Sequence, residues 1–113
     1  MPLNAPDQPV SRHVSQQRLQ ARLDTLARFG ATAKGGVDRQ ALSREDALAQ
    51  AQMVRWGHEL GLKASRDPAG NLFLRFEGLD DGLPPVLSGS HLDSQPTGGR
   101  FDGVFGVVAA LEA

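Results

Sequence analysis

Residues 88–113 read SGSHLDSQPTGGRFDGVFGVVAALEA, and the rest of the chain is interpreted outward from them. One histidine, His91, stands two positions before Asp93, and a second acidic residue, Asp102, follows a Gly98–Gly99 turn just ahead of a helix-like apolar run. The residues ahead of His91 (Ser88, Gly89, Ser90) are small and leave room beside an imidazole. The segment PVLSGS, residues 85–90, reads as a short apolar strand ending just before His91. On extended backbone, residues i and i+2 face the same way, so the Asp93 carboxylate can approach the His91 ring. A lone histidine is more often solvated or structural than a ligand, but neutral imidazole is also the commonest metal ligand, and a carboxylate that orients it is its usual companion. Asp102 admits two readings. It can cap the last helix, a role aspartate performs well. Its two oxygens can instead bridge two cations about 3.5–4 Å apart, as in two-metal hydrolytic sites.

Working backward, LKASRDPAGNLFLRFEG, residues 62–78, reads as strand, turn and strand. Pro68 sets φ in the turn, and Gly70 or Asn71 tolerates positive φ. Leu72, Leu74 and Phe76 alternate with Phe73, Arg75 and Glu77, which predicts one inward face. Ser43 with Asp46 three positions later signals a helix start, and Gly61 a helix stop. That second helix carries Leu48, Ala51, Val54 and Leu60 as its expected apolar residues. A first helix is expected from Ser11, with Leu19, Leu23, Leu26 and Phe29 along one stripe and Gly30 beyond its end. A Gly-punctuated loop, residues 30–40, joins the two, and residues 102–113 form the last helix. Helices with intervening strands place the chain in the α/β class. The His91 segment then sits at a strand end leading to a helix, where open α/β sheets bind ligands.

Composition narrows the function classes. The chain has 113 residues, 12 basic and 13 acidic, for a formal net charge of −1. That balance offers no electrostatic case for nucleic acid or a membrane surface. No run of about 18 apolar residues is present, and the N-terminus lacks a basic stretch followed by an apolar core. Cysteine is absent, which removes disulfides, thiolate metal sites and cysteine nucleophiles. A cytoplasmic location is expected. The closing run GVVAALEA has no C-cap residue, so the chain is expected to be the N-terminal piece of a longer protein.

GSHLDSQPTGGRFDGVFGV (residues 89–107) closely resembles the amidase/hydantoinase/carbamoylase family of dinuclear-metal amidohydrolases. RFGATAKGGVDRQALSREDALAQ (residues 28–50) and WGHELGLKASRDPAGNLFLRFEG (residues 56–78) resemble the same family in the same order. The family includes N-carbamoyl-L-amino-acid hydrolases, beta-ureidopropionases of the bacterial and yeast type, and allantoate amidohydrolases. The resemblance implies the N-terminal part of a zinc-exopeptidase-like catalytic domain, helices packed on a mixed sheet. Residues 11–113 would form that part, and residues 1–10 a flexible arm. It implies two divalent metal ions, zinc or else manganese, cobalt or nickel. His91 is then a terminal metal ligand, Asp102 the bridging ligand, and Asp93 the carboxylate that orients His91. It also implies a cis peptide bond at Asp102–Gly103.

The family's general-base glutamate, a neighbouring glutamate ligand, two further histidine ligands and the lid and dimerisation domain would all come later than Ala113. Glu112 is expected on the surface of the last helix. His13 and His58 match no ligand, and Asp38 and Arg39 are expected in surface or loop pairing. The implied activity is hydrolysis of a linear C–N amide or ureido bond in a small carbamoyl or ureido substrate, by a homodimer without nucleic acid or membrane partners. N-Carbamoyl amino acids lead, with allantoate as the alternative. A different class of reading takes the chain as an inert truncated product with open sheet edges. On either reading the 113-residue chain alone is expected to show no turnover.

Overall fold

The computed structural model describes residues 9–113. Most of the expected arm, residues 1–8, lies outside the described residues. A single 3-10 turn spans Val10–His13, followed by α1 (Gln16–Leu26), α2 (Arg44–Glu59), strands β1 (Lys63–Arg66) and β2 (Leu72–Arg75), and α3 (Val104–Glu112). The first α-helix thus begins later than Ser11. Ser15 sets that start, because its hydroxyl accepts from the Arg18 N–H at 3.2 Å and satisfies one orphan donor of the first turn.

The start of α2 follows its sequence signal. The Ser43 hydroxyl accepts from Asp46 N–H at 3.2 Å, and the Asp46 carboxylate reaches back to the Leu42 N–H at 3.1 Å. Its end is a glycine stop. Gly61 has φ 77°, Leu62 N–H donates to the Gly57 carbonyl at 2.8 Å, and Gly61 N–H donates to that of His58 at 3.0 Å. The chain then enters an antiparallel hairpin pairing Lys63 with Arg75 and Arg66 with Leu72. Asp67 holds the turn by accepting from Asn71 N–H at 2.9 Å and from the Asn71 side-chain amide at 2.8 Å. Those bonds hold the Asp67 carboxyl below its ordinary range. Leu72 and Leu74 point inward while Phe73 and Arg75 point out, as the alternation predicts, but Phe76, expected on the same inward face, lies past the end of β2 and is exposed.

The core consists of Leu23 and Leu26 of α1, Ala49 and Met53 of α2, and Val104 and Val108 of α3, with Leu72, Leu74 and Leu92 packed on it. The buried face of α2 is Ala49, Met53 and Gly57, not the expected Leu48 and Leu60, which are exposed. At Gly57 the absence of a side chain lets the hairpin lie directly on that face. A Cβ at Gly57 would sit 2.9 Å from Leu74 Cδ2. The guanidinium of Arg22 stacks over the Trp56 ring at 5.6 Å and joins α1 to α2.

Two expectations fail here. Residues 85–90 form no strand, and Val86 and Leu87 are exposed. Extended backbone becomes a strand only when its N–H and C=O groups find a ladder, and no described strand pairs with this segment. Glu112 is buried rather than on the surface. It accepts from Arg18 Nε at 2.9 Å, from Arg22 Nη1 at 3.0 Å and from the Ser15 N–H at 2.8 Å, so it locks α3 onto the start of α1.

The hydrogen bonds from Arg18 hold the Glu112 carboxyl below its usual range, helped by the Ser15 N–H and the charge of Arg22 and opposed by desolvation. A depressed folded value means the contribution is complete above the unfolded carboxyl range, about pH 4–5, and lost as pH falls through the folded value. Glu112→Ala is expected to cost about 2–3 kcal/mol at pH 7 in urea unfolding of the whole protein, and the difference from wild type should shrink at low pH.

Candidate active site

The site forms where the loop after β2 meets the first turn of α3. The chain reverses at Asp102–Gly103–Val104 in a γ-turn, with Val104 N–H donating to the Asp102 carbonyl at 2.8 Å. Gly103 takes φ 72° and ψ −49°, a conformation strained for any residue with a side chain. No peptide bond among the described residues is cis, so the expected cis Asp102–Gly103 bond is not present. The positive φ of Gly103 makes the reversal instead. The same residue clears space for the histidine, since a Cβ there would lie 2.4 Å from His91 Cε1 and 2.5 Å from Nε2.

His91 Nδ1 lies 2.9 Å from the Asp93 carbonyl and 3.2 Å from the Asp93 carboxylate. Both partners are acceptors, so in neutral imidazole Nδ1 carries the proton and Nε2 presents its lone pair. That lone pair faces Asp102 Oδ2 at 3.6 Å. The separation is too long for a hydrogen bond, and two facing lone pairs repel unless a cation lies between them. It is close to the ligand–ligand edge, about 3.4 Å, of a tetrahedral site with bonds of about 2.1 Å. The residues therefore fit a divalent cation with one imidazole and one carboxylate ligand. Asp102 caps nothing. Its side chain is 87% exposed, and the residue that starts α3 is Gly103, without a side-chain cap.

Elsewhere, the residues divide as follows. His13 and His58 are both exposed, the first on the 3-10 turn and the second in the last turn of α2. No group of three or more His, Cys, Asp or Glu among the described residues encloses a metal site, so His91 and Asp102 stand as a candidate pair without a third such side chain beside them. Concavities along the outer face of α1 (Gln16, Gln20, Asp24) and beside the 30–40 loop (Thr32, Asp38, Ser43) are not lined by His91, Asp93 or Asp102.

Sequence reasoning missed two arginines. Arg39 is fully buried and not in surface pairing. Its position two residues after buried Val37, with Asp38 and Gln40 exposed between and beyond, is an alternation that marked it as inward-facing. Arg100 pairs with Asp24 of α1 and holds the turn before Asp102. The 30–40 loop also carries an antiparallel bridge, Val37 to Gly98, which ties it to the same turn.

No family model matches the chain. It is 44% identical over 99 residues to the N-carbamoyl-L-amino-acid amidohydrolase of Pseudomonas sp. (strain NS671), covering 88% of this chain and 24% of that enzyme. The hydantoinase/carbamoylase family amidase of Burkholderia ambifaria superposes with a TM-score of 0.86 at 48% identity, over 88% of this chain and 25% of that one.

The chain belongs to the hydantoinase/carbamoylase amidase family.

The ureidoglycolate hydrolase of Oryza sativa subsp. japonica is also similar, 40% identical over 101 residues, or 89% of this chain and 21% of that enzyme. The chain spans about a quarter of the length of the amidases it matches.

The geometry makes Gly103 the sensitive position of this chain. Gly103→Ala is expected to lower stability by about 1–2 kcal/mol through its positive φ and to push the His91 ring aside. Urea unfolding and the metal content of the purified protein check both effects, and wild-type metal content would count against the clearance.

Proposed function

We propose that this chain forms the N-terminal part of the catalytic domain of a metal-dependent amidohydrolase, and that the whole protein hydrolyses the ureido C–N bond of N-carbamoyl-L-amino acids. The observation that carries the reading is the His91 Nε2 lone pair facing the Asp102 carboxylate at 3.6 Å while Asp93 occupies Nδ1. The substrate class is supported by the names of relatives 40–44% identical to this chain.

A divalent cation held there would supply Lewis acidity, polarising a carbonyl and making water acidic near neutral pH. His91 and Asp102 hold that charge at the mouth of the γ-turn. Asp93 keeps the proton on Nδ1, so Nε2 stays available and the ring stays oriented. Gly103 keeps the reacting space open beside the ring. Asp102 offers a second oxygen that engages no side chain among the described residues, which supports the further proposal that it bridges two cations. An imidazole and carboxylate donor set suits zinc, manganese, cobalt or nickel. The zinc-exopeptidase-like catalytic fold, the homodimer and the cytoplasmic location are part of the same proposal. Strands from the rest of such a domain would pair with residues 85–90 and cover Val86 and Leu87, which lie exposed.

A second reading, hydrolysis of ureidoglycolate, is favoured by the rice enzyme's similarity. Both substrates place a ureido group beside a carboxylate, and kcat/KM measured on each, with allantoate alongside, separates them.

In the whole protein, Asp102→Ala is expected to lose bound metal and at least about a thousandfold in kcat/KM, roughly 4 kcal/mol of transition-state stabilisation. Wild-type metal content together with near-wild-type hydrolysis in that variant would reject the reading.

A further inference from the structure

Asp93 orients His91, and both neighbours of Asp93 are tied to a single residue. Arg39 Nε donates to the Leu92 carbonyl at 2.8 Å. Its backbone N–H donates to Ser94 Oγ at 2.9 Å, and its carbonyl accepts from Ser94 N–H at 2.7 Å. The far side of the guanidinium is anchored at the end of α1, where Nη1 donates to the carbonyls of Leu26, the last helical residue, at 2.8 Å and of Phe29, in the turn that follows, at 2.7 Å. The Leu26 carbonyl also accepts from the Phe29 N–H at 3.2 Å, so the guanidinium adds a charged donor to the turn that ends the helix.

We infer that Arg39 is the positioning residue for the His91–Asp93 pair, its guanidinium forking between the C-terminal end of α1 and the loop that carries the histidine.

Three observations favour this over a plain core role. Arg39 has no measurable exposure, and its Nη2 has no partner among the described residues. Burial pulls the guanidinium below its ordinary value, opposed by the charges of Asp46 and Asp93. A buried charge of this kind is a poor way to stabilise a core, where an apolar side chain of similar volume serves as well or better. What the planar fork does supply is fixed geometry in two directions at once, which a lysine cannot reproduce. Arg39 touches neither His91 nor Asp102 by any hydrogen bond, so it acts only through the loop.

The consequence for metal binding rests on the function proposed above, whereas the tether itself can be measured without metal. The variant is Arg39→Lys in the whole protein. Lysine keeps the charge but has one ammonium in place of the planar fork, so it cannot hold the Arg39 geometry toward Leu92 and toward Leu26 and Phe29 at once. Three results are expected. In the metal-free protein, amide exchange across residues 91–95 should rise about tenfold while the far-UV spectrum is unchanged. Cobalt(II) affinity should fall about 10–100-fold with an altered visible absorption band. On N-carbamoyl-L-amino acids, kcat should fall while KM changes little.

Wild-type exchange at residues 91–95 together with a wild-type cobalt spectrum would overturn the inference. If the wild-type protein binds no cobalt, the metal reading falls, and the metal-free exchange alone decides the role of Arg39. If Arg39→Lys does not fold, the wild-type Arg39 Nε–H decides it. Strong protection of that proton relative to exposed Arg44 supports the tether, and equal exchange overturns it.

Discussion

The imidazole of His91 rests on backbone at Gly103 where no side-chain atom fits, and the rest of the site depends on that contact. A Cβ at Gly103 would stand 2.5 Å from the His91 carbonyl oxygen as well as 2.4 Å from ring Cε1. Glycine meets two demands there, the positive φ of the γ-turn and the clearance. The γ-turn throws the Asp102 carboxylate outward instead of over the helix N-terminus, and the clearance lets the ring come within 3.6 Å of it. Without either, the two candidate ligands would not face the same point. Close approaches at Gly106, under Ser90, and at Gly98, under Ser94, repeat the device along the same loop. Gly98, Gly103 and Gly106 serve packing, whereas a Cβ at Gly89 or Gly99 would meet nothing within 4 Å.

Helix α1 is the platform for both halves of the site. Arg39 hangs the His91 loop from its C-terminal carbonyls, and Arg100 pairs the Asp102 turn to Asp24 on its flank. At its other end, Glu112 joins α3 to Arg18, Arg22 and the Ser15 N–H. The apolar core is small and supplies cohesion without direction. The ion pairs and charged hydrogen bonds add the directional constraints. They differ in what they contribute. The Asp24–Arg100 pair is partly exposed, and such pairs contribute modestly. Glu112 and Arg39 are buried, and leaving either without its partners would strand a charge or polar group away from water.

Local features were legible in the sequence because their causes are local. Ser43 before Asp46, Gly61 after α2, the Asp67–Asn71 turn and the leucine stripe of α1 all follow from neighbours within a few positions. Features decided by distant contacts were not. The inward turn of Glu112 depends on two arginines about ninety positions earlier, although its place four residues after Val108 and eight after Val104 put it on the buried face of α3. Arg39 was hidden by its charge, since charged residues are rarely fully buried. The expected strand at residues 85–90 had the right composition but no partner to pair with. At the candidate site, the motif nominates His91, Asp93 and Asp102, and the structure adds their arrangement: Nδ1 held by Asp93, Nε2 free, and Asp102 outside any capping role.

The central claim is that His91 Nε2 and the Asp102 carboxylate share a divalent cation. The most direct test is a crystal structure of the whole protein grown with zinc or manganese, with anomalous diffraction collected at the metal absorption edge. The account predicts an anomalous peak about 2.1 Å from both His91 Nε2 and an Asp102 carboxylate oxygen, with Asp93 still on Nδ1. A fully loaded crystal whose metal lies away from this pair, or binds His91 through Nδ1, would contradict it.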